Sequence, residues 1–232
     1  MTPRRGALLH RIHRRYPTAC GTLRFGETTI EFTRIADADQ VLDDVAAEAE
    51  RRSRQRDVST VNPLRMPYWA ELWESSAAIA EFLIAGPSIE KLKILDLGCG
   101  MGLAGAAAAM KGARVLLADI EPLALLLARL NTLPWRQRTR FRRLNWQADR
   151  LGEEFDLILG ADILYERAQW EFLDPFWRNH LAAGGEILLG EPGRQTGDEF
   201  GRWIAERGWK VEQFVRPIGG DKKPIRMFRL KG

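Results

Sequence analysis

From residue 93 onward, short apolar runs alternate with segments whose apolar positions recur every three or four residues. KILDL (93–97), RVLLAD (114–119), RFRRLNW (140–146), FDLILGAD (155–162) and GEILLGE (185–191) read as strands, and 103–111, 122–131, 168–181 and 196–207 as helices. Strands that alternate with helices imply βαβ crossovers, and hence a parallel sheet covered on both faces. The last two runs, WKVEQFVRPI (209–218) and PIRMFRLKG (224–232), are joined across Gly219-Gly220-Asp221-Lys222-Lys223, a connection too short for a crossover. They must pair antiparallel.

Upstream the pattern changes. Residues 20–36 alternate around Gly26-Glu27 and predict a small hairpin. Residues 36–57 carry acids early and arginines late, which complements a helix macrodipole, with Val41, Leu42 and Val45 on one face; a polar linker follows near 53–63. A second helix is drawn over 69–86, where Trp69, Leu72, Trp73, Ile79, Phe82 and Leu83 recur roughly at helical spacing until Gly86-Pro87. The fold class expected is α/β: a doubly wound, Rossmann-like seven-stranded sheet, mostly parallel, with a C-terminal antiparallel hairpin. That domain is assigned to residues 63–232, and residues 1–62 form a small accessory segment of basic arm, hairpin and helix.

At 232 residues the chain can bury a sizeable core without disulfides. Cys20 and Cys99 show no C-x-x-C spacing and no histidine cluster, so neither a disulfide framework nor a metal site is expected, and a reducing, cytoplasmic setting fits best. No run of about eighteen apolar residues occurs, so no membrane span is expected. The net charge of +4 is unevenly held: residues 1–26 contain six arginines and no acid, leaving the remainder acidic on balance. This arm has the composition of an organelle transit peptide, with an apolar part too short for a secretory signal, and is read as a solvated or loosely docked terminus.

One stretch invites chemistry. ILDLGCGMGLAG (94–105), read from Gly100 to Gly105, is a G-x-G-x-x-G dinucleotide fingerprint; read from Asp96 to Gly102, it is a loop of the adenosylmethionine type. Both use glycines to bring backbone N–H groups close to a ligand. Asp96 separates them, because a carboxylate there repels a pyrophosphate but attracts the ammonium of adenosylmethionine, directly or through water. Asp119, closing the next strand, suits the ribose hydroxyls of either ligand. The closing hairpin favours the second, since the dinucleotide fold normally extends with further parallel strands. Gly105 then serves as a small residue that lets the first helix lie close to the sheet.

Residues 66–194 resemble the class I adenosylmethionine-dependent methyltransferases, and more narrowly the seven-β-strand protein-lysine group called methyltransferase family 16. PYWAELW (67–73), LDLGCGMG (95–102), LADIEP (117–122) and ADILYE (161–166) carry the resemblance, the last because Asp162-Ile163-Leu164-Tyr165 matches that group's D-x-x-Y motif. PYWAELW with the later GEPGR (190–194) looks most like the branch acting on the electron-transfer flavoprotein β subunit. That branch usually has W-P-G-G and G-D-P-G-R, where this chain has Trp73-Glu74-Ser75-Ser76 and a Glu191. The resemblance implies S-adenosyl-L-methionine as cofactor, released as S-adenosyl-L-homocysteine. Its methionine part is assigned to Asp96, Gly98, Gly100 and Gly102, and its ribose to Asp119. Its adenine is assigned to Asn145 and Trp146, an amide for the exocyclic amine and an indole for the ring face, although relatives usually have an acid where Asn145 stands. Trp73 is a further candidate cofactor contact, while its spacing from Trp69 suits core packing as well.

Asp162 and Tyr165 are the catalytic candidates. A lysine, with an ordinary pKa near 10.4, must lose a proton before it accepts a methyl group, at a cost of about 4–5 kcal/mol at pH 7. An aromatic roof lowers that cost, Asp162 orients the amine, directly or through its backbone, and Tyr165 walls its stem and the cationic product, with Glu166 and Glu191 as secondary candidates near the same sheet edge. The expected partner is a protein substrate. Nucleic acid is a less favoured rival, resting on the acid-free tract Arg129, Arg136, Arg138, Arg140, Arg142 and Arg143 with Trp135 and Trp146 interleaved. A small-molecule amine and a non-catalytic partner protein of the same fold complete the alternatives.

Overall fold

The apolar runs form the strands they predict in a computed structural model that describes residues 2–54, 66–217 and 223–232. The expected boundary at 62–63, most of the linker at 53–63 and most of the turn at 219–223 lie outside these residues. Strands β1 (Thr18–Phe25) and β2 (Thr28–Ile35) make the N-terminal hairpin. A second sheet has seven strands: β3 (Lys93–Leu97), β4 (Arg114–Asp119), β5 (Thr139–Arg143), β6 (Phe155–Ala161), β7 (Leu181–Glu191), β8 (Lys210–Arg216) and β9 (Ile225–Lys231). Their order is β5-β4-β3-β6-β7-β9-β8; the first five pair in parallel, and β9 runs antiparallel to both β7 and β8. The chain winds outward from β3 in one direction and, after β6, in the other. That reversal opens a crevice at the carboxyl ends of β3 and β6, where open α/β sheets take their ligands.

Among the described residues, seven α-helices accompany the strands: α1 (Pro3–His13), α2 (Ala38–Arg54), α3 (Glu74–Ala85), α4 (Leu103–Met110), α5 (Pro122–Asn131), α6 (Arg167–His180) and α7 (Gln195–Ala205). Strand alternation divides the core between two faces. Leu95, Leu116, Ile158 and Ile187 pack with Trp170, Trp177 and Phe200 of α6 and α7, whereas Ile94, Val115, Leu159 and Leu188 pack with Ala78, Ile79, Ala104 and Ala108 of α3 and α4. Each fully buried Leu, Ile, Val or Phe among them contributes about 1.5–3 kcal/mol, so a one-residue slip of register, which would exchange the two sets, is strongly opposed.

Three local expectations are corrected. The basic arm is no loose terminus: Thr2 caps α1, whose buried Ile12 and partly buried Leu8 and Leu9 pack in one cluster with Leu127 and Leu130 of α5. The apolar stripe of α1 outweighs its charge. The helix drawn from Trp69 begins only at Glu74; a short 3-10 turn, Tyr68–Ala70, precedes it, and Glu71 and Trp73 are extended. Finally, β5 stops at Arg143, because Asn145 starts a turn in which its N–H donates to the Asp149 carboxylate at 2.7 Å.

Candidate active site

Beyond Leu97 the chain turns into α4 through Gly98, Gly100 and Gly102, whose φ values of 67°, 50° and 84° lie in the left-handed region that side chains disfavour. Space is short as well: a Cβ on Gly98 would lie 2.8 Å from Ile163 Cγ2, and one on Gly102 2.9 Å from Ala128 Cβ. Gly105 lies inside α4, where a Cβ would sit 2.6 Å from Leu117 Cδ2 and 2.8 Å from Asp96 Oδ2. It is the close-packing residue the sequence implies.

Asp96 and Asp119 diverge in role. Asp96 shares the α4 face with Ile94, is 1% exposed, and accepts from the Gly105 N–H at 2.8 Å through Oδ2; Oδ1 is buried without a hydrogen-bond partner. It does not line the crevice but lies beneath the loop. Burial first, then the nearby Asp119, pushes its carboxyl up to about 7 against the bond from Gly105. Asp119, at the end of β4, does line the crevice and accepts from the N–H groups of Gly100 at 2.8 Å and Glu121 at 2.9 Å. Burial pushes it up to about 6, with those N–H groups opposing.

The crevice has a volume of about 280 Å³ and gathers Gly98, Gly100, Gly102, Asp119, Asn145, Trp146, Trp73, Asp162 and Tyr165. Its described wall holds five carboxylates, Glu71, Asp119, Glu121, Asp162 and Glu166, and no lysine, arginine or histidine. Trp146 donates to Gln169 Oε1 at 3.0 Å and stands beside Gly98. The Asn145 carboxamide oxygen already accepts from the Gln147 N–H at 3.2 Å, so any adenine amine has to share it. Cys99 is buried, its thiol pushed well above the ordinary range by that burial, which does not suit a nucleophile.

At the end of β6, Asp162 adopts a φ of 55°, a conformation costing a residue with a side chain about 1–3 kcal/mol, and its N–H donates to the Gly190 carbonyl at 2.8 Å. Its carboxylate is held by Arg194, Nη1 on Oδ1 and Nη2 on Oδ2, the latter at 3.0 Å. Burial pushes Asp162 upward and Arg194 opposes it. The guanidinium lies 5.5 Å from the centre of the Trp73 ring, and the Trp73 indole donates to the Tyr68 carbonyl at 2.7 Å. Trp73, expected at the cofactor, therefore stands at the Asp162 end. Tyr165 meets Tyr68 edge to face, ring centres 4.9 Å apart, and burial pushes its hydroxyl up to about 12. Glu166 lines the crevice, but Glu191 does not: it is 2% exposed and accepts from the N–H groups of Gly193 and Arg194, both at 2.9 Å.

Sequence reasoning missed Phe32, which reaches the crevice from the accessory hairpin, and the pairing of Arg194. For Phe32 the only signal is its alternation in β2; for Arg194 it is the GEPGR stretch itself. Among the described residues no group of three His, Cys, Asp or Glu is arranged for a metal, and no helix is long and apolar enough to cross a membrane.

The chain resembles known proteins in sequence and in fold. The chain is 37% and 34% identical, over 139 residues each, to the electron transfer flavoprotein beta subunit lysine methyltransferases of Xenopus laevis and Danio rerio. The matched segment is 57% of this chain and 55% and 52% of those proteins, so the chain spans about half the length of the curated relatives it matches. The crystal structure of ribosomal protein L11 methylase from Lactobacillus delbrueckii subsp. bulgaricus shares the fold, with a TM-score of 0.57 and 21% identity over 72% of this chain and 82% of that one. Residues 67–200, more than half of the chain, match the family model described as lysine methyltransferase, and the chain belongs to that family.

Proposed function

We propose that this chain transfers a methyl group from S-adenosylmethionine to the side-chain nitrogen of a protein lysine. The observation that carries the reading is the charge of the crevice: five carboxylates on its wall, of which Asp162 is paired with Arg194 behind it, and no described cation on the wall itself, in a chain of net charge +4. A dinucleotide would bring two phosphates into this acidic crevice, whereas a sulfonium and an ammonium are attracted to it; Asp119 suits the ribose of either ligand. The same carboxylates oppose a nucleic-acid acceptor.

The residues present fit the cofactor. Bare backbone at Gly98, Gly100 and Gly102 would take the methionine part, Asp119 the ribose hydroxyls, and Trp146 with Asn145 the adenine. Asp96 would act from below the loop, through its field. When bound, S-adenosylmethionine supplies an electrophilic methyl carbon on a sulfonium. The chain's own part is to prepare the amine: Tyr68, Trp73 and Tyr165 exclude water from a lysine stem, and Asp162 offers an oxygen to hold the nitrogen in line. Residues 63–232 would carry the transfer while 1–62 cover the site, and a reducing, cytoplasmic compartment would suit the free thiols of Cys20 and Cys99.

The names of the relatives make the electron transfer flavoprotein β subunit the first acceptor to try, although the Glu74-Ser75-Ser76 and Glu191 departures bear on that choice. The purified chain is incubated with methyl-tritiated S-adenosylmethionine and either that subunit or cell lysate. Label on a lysine of a protein is the expected result. Label confined to nucleic acid or small molecules overturns the acceptor, and tight cofactor binding without transfer to any fraction overturns the enzyme.

A further inference from the structure

Asp162 poses a problem for the reaction proposed above, on which this inference rests. A lone carboxylate within about 4–6 Å of an amine stabilises the ammonium and raises a lysine pKa by about 1–3 units. An ammonium has no lone pair, so an unopposed Asp162 would bind the acceptor in its unreactive form. The structure places a fixed countercharge at that carboxylate. Arg194 covers both Asp162 oxygens with its two terminal nitrogens, against the face of Trp73.

The countercharge is held in place. Glu191 accepts from the N–H groups of Gly193 and Arg194 through Oε2, while its Oε1 pairs with Arg226 Nε at 3.1 Å, so the backbone under Arg194 is anchored to β9. Other charged and titratable groups face the pair: Glu74 from the first turn of α3 acts on Asp162, Glu191 and Tyr68 on Arg194, and Glu166 on Tyr165. They are acidic or phenolic, so Arg194 is the group that opposes Asp162.

We propose that Arg194 is a positioning residue that cancels the charge of Asp162, so that the acceptor lysine is held as the neutral amine. Each carboxylate oxygen retains a lone pair beyond the one used by the guanidinium, and can accept an N–H of the amine. The proton lost by the incoming ammonium leaves to bulk water through the mouth of the crevice. Removing the guanidinium leaves that hydrogen bond available and restores the charge, so the effect on transfer is read as a shift in its pH dependence.

The test is the pH profile of kcat/KM for the full chain, its R194K and R194Q variants, on the electron transfer flavoprotein β subunit or on the lysate protein the unaltered chain labels. R194Q is expected to move the acid limb up by about 1–3 pH units, with activity recovering at high pH. R194K keeps the limb near its original position, and the KM for S-adenosylmethionine is unchanged in both. A limb that stays put in R194Q, or an equal loss at every pH, overturns the proposal. Should R194Q prove unfolded by circular dichroism, D162N carries the test: with the guanidinium unopposed, the limb of its residual activity moves to lower pH, and a limb that stays or rises overturns the proposal. Absence of any labelled lysine with the unaltered chain removes the functional reading itself, an outcome distinct from a misplaced limb.

Discussion

Asn131 and Met101 join the accessory hairpin to the glycine loop. The Asn131 side-chain nitrogen donates to the Met101 carbonyl and to the Thr33 carbonyl, both at 2.9 Å, while its oxygen accepts from the Thr33 N–H at 2.8 Å. Met101 lies between Gly100 and Gly102, and Thr33 follows Phe32, a wall of the crevice. One buried carboxamide at the end of α5 thus sets the distance between the two.

Asn131→Ala leaves those buried backbone groups unpaired. The expected cost is at least about 1–3 kcal/mol, seen as a lower urea midpoint with an unchanged slope, together with a weaker affinity for S-adenosylmethionine. A variant with the original midpoint would show that water replaces the amide at no cost.

Gly105→Ala drives a methyl group into Leu117 and the Asp96 carboxylate. Overpacking of this kind costs about 1–3 kcal/mol, and the melting temperature should fall accordingly. If it is unchanged, α4 can move away from β4 freely, and the close contact has no structural weight.

Asp96, pushed up to about 7, and Asp119, pushed up to about 6, stand above their ordinary value of 3.8. The folded chain therefore keeps protons that the unfolded chain has lost. Their contribution to stability is fully present below pH about 4 and declines as pH rises to about 7. Asp96→Asn should flatten that decline in denaturation curves taken across the range. A cationic ligand favours the charged form of Asp119, so its binding should release protons and tighten between pH 5 and 7. Titration calorimetry in two buffers of different ionisation enthalpy measures this, and a buffer-independent heat refutes it.

Asp162→Ala should abolish transfer while leaving the affinity for S-adenosylmethionine nearly unchanged, as equilibrium binding and single-turnover transfer would report. A parallel loss of affinity would move Asp162 from the acceptor to the cofactor.

The seven-stranded sheet was legible because alternation of apolar residues and turn chemistry are local properties. So was the glycine loop, whose backbone needs are written in residue type. Where aromatic residues at helical spacing line a crevice, as Trp69 and Trp73 do, periodicity misleads and a helix is drawn too early. The alternation of Asp96 with Ile94 assigns it to the α4 face, a placement that its distance from Gly98 does not reveal. The roles of Asn131, Phe32 and Arg194 rest on contacts between distant segments; alternation marks Phe32 and the GEPGR stretch marks Arg194, but neither names the partner.

The pairing of β7 with β9 has a practical consequence. A fragment trimmed to residues 67–200 would end before β8 and β9, stripping β7 of its outer neighbour. Ile187, Leu188 and Leu189 would then sit on a bare edge, a row of unsatisfied N–H and C=O groups that invites another chain to pair there. Such a fragment would lose Arg226, the partner of Glu191, and would associate through its open edge.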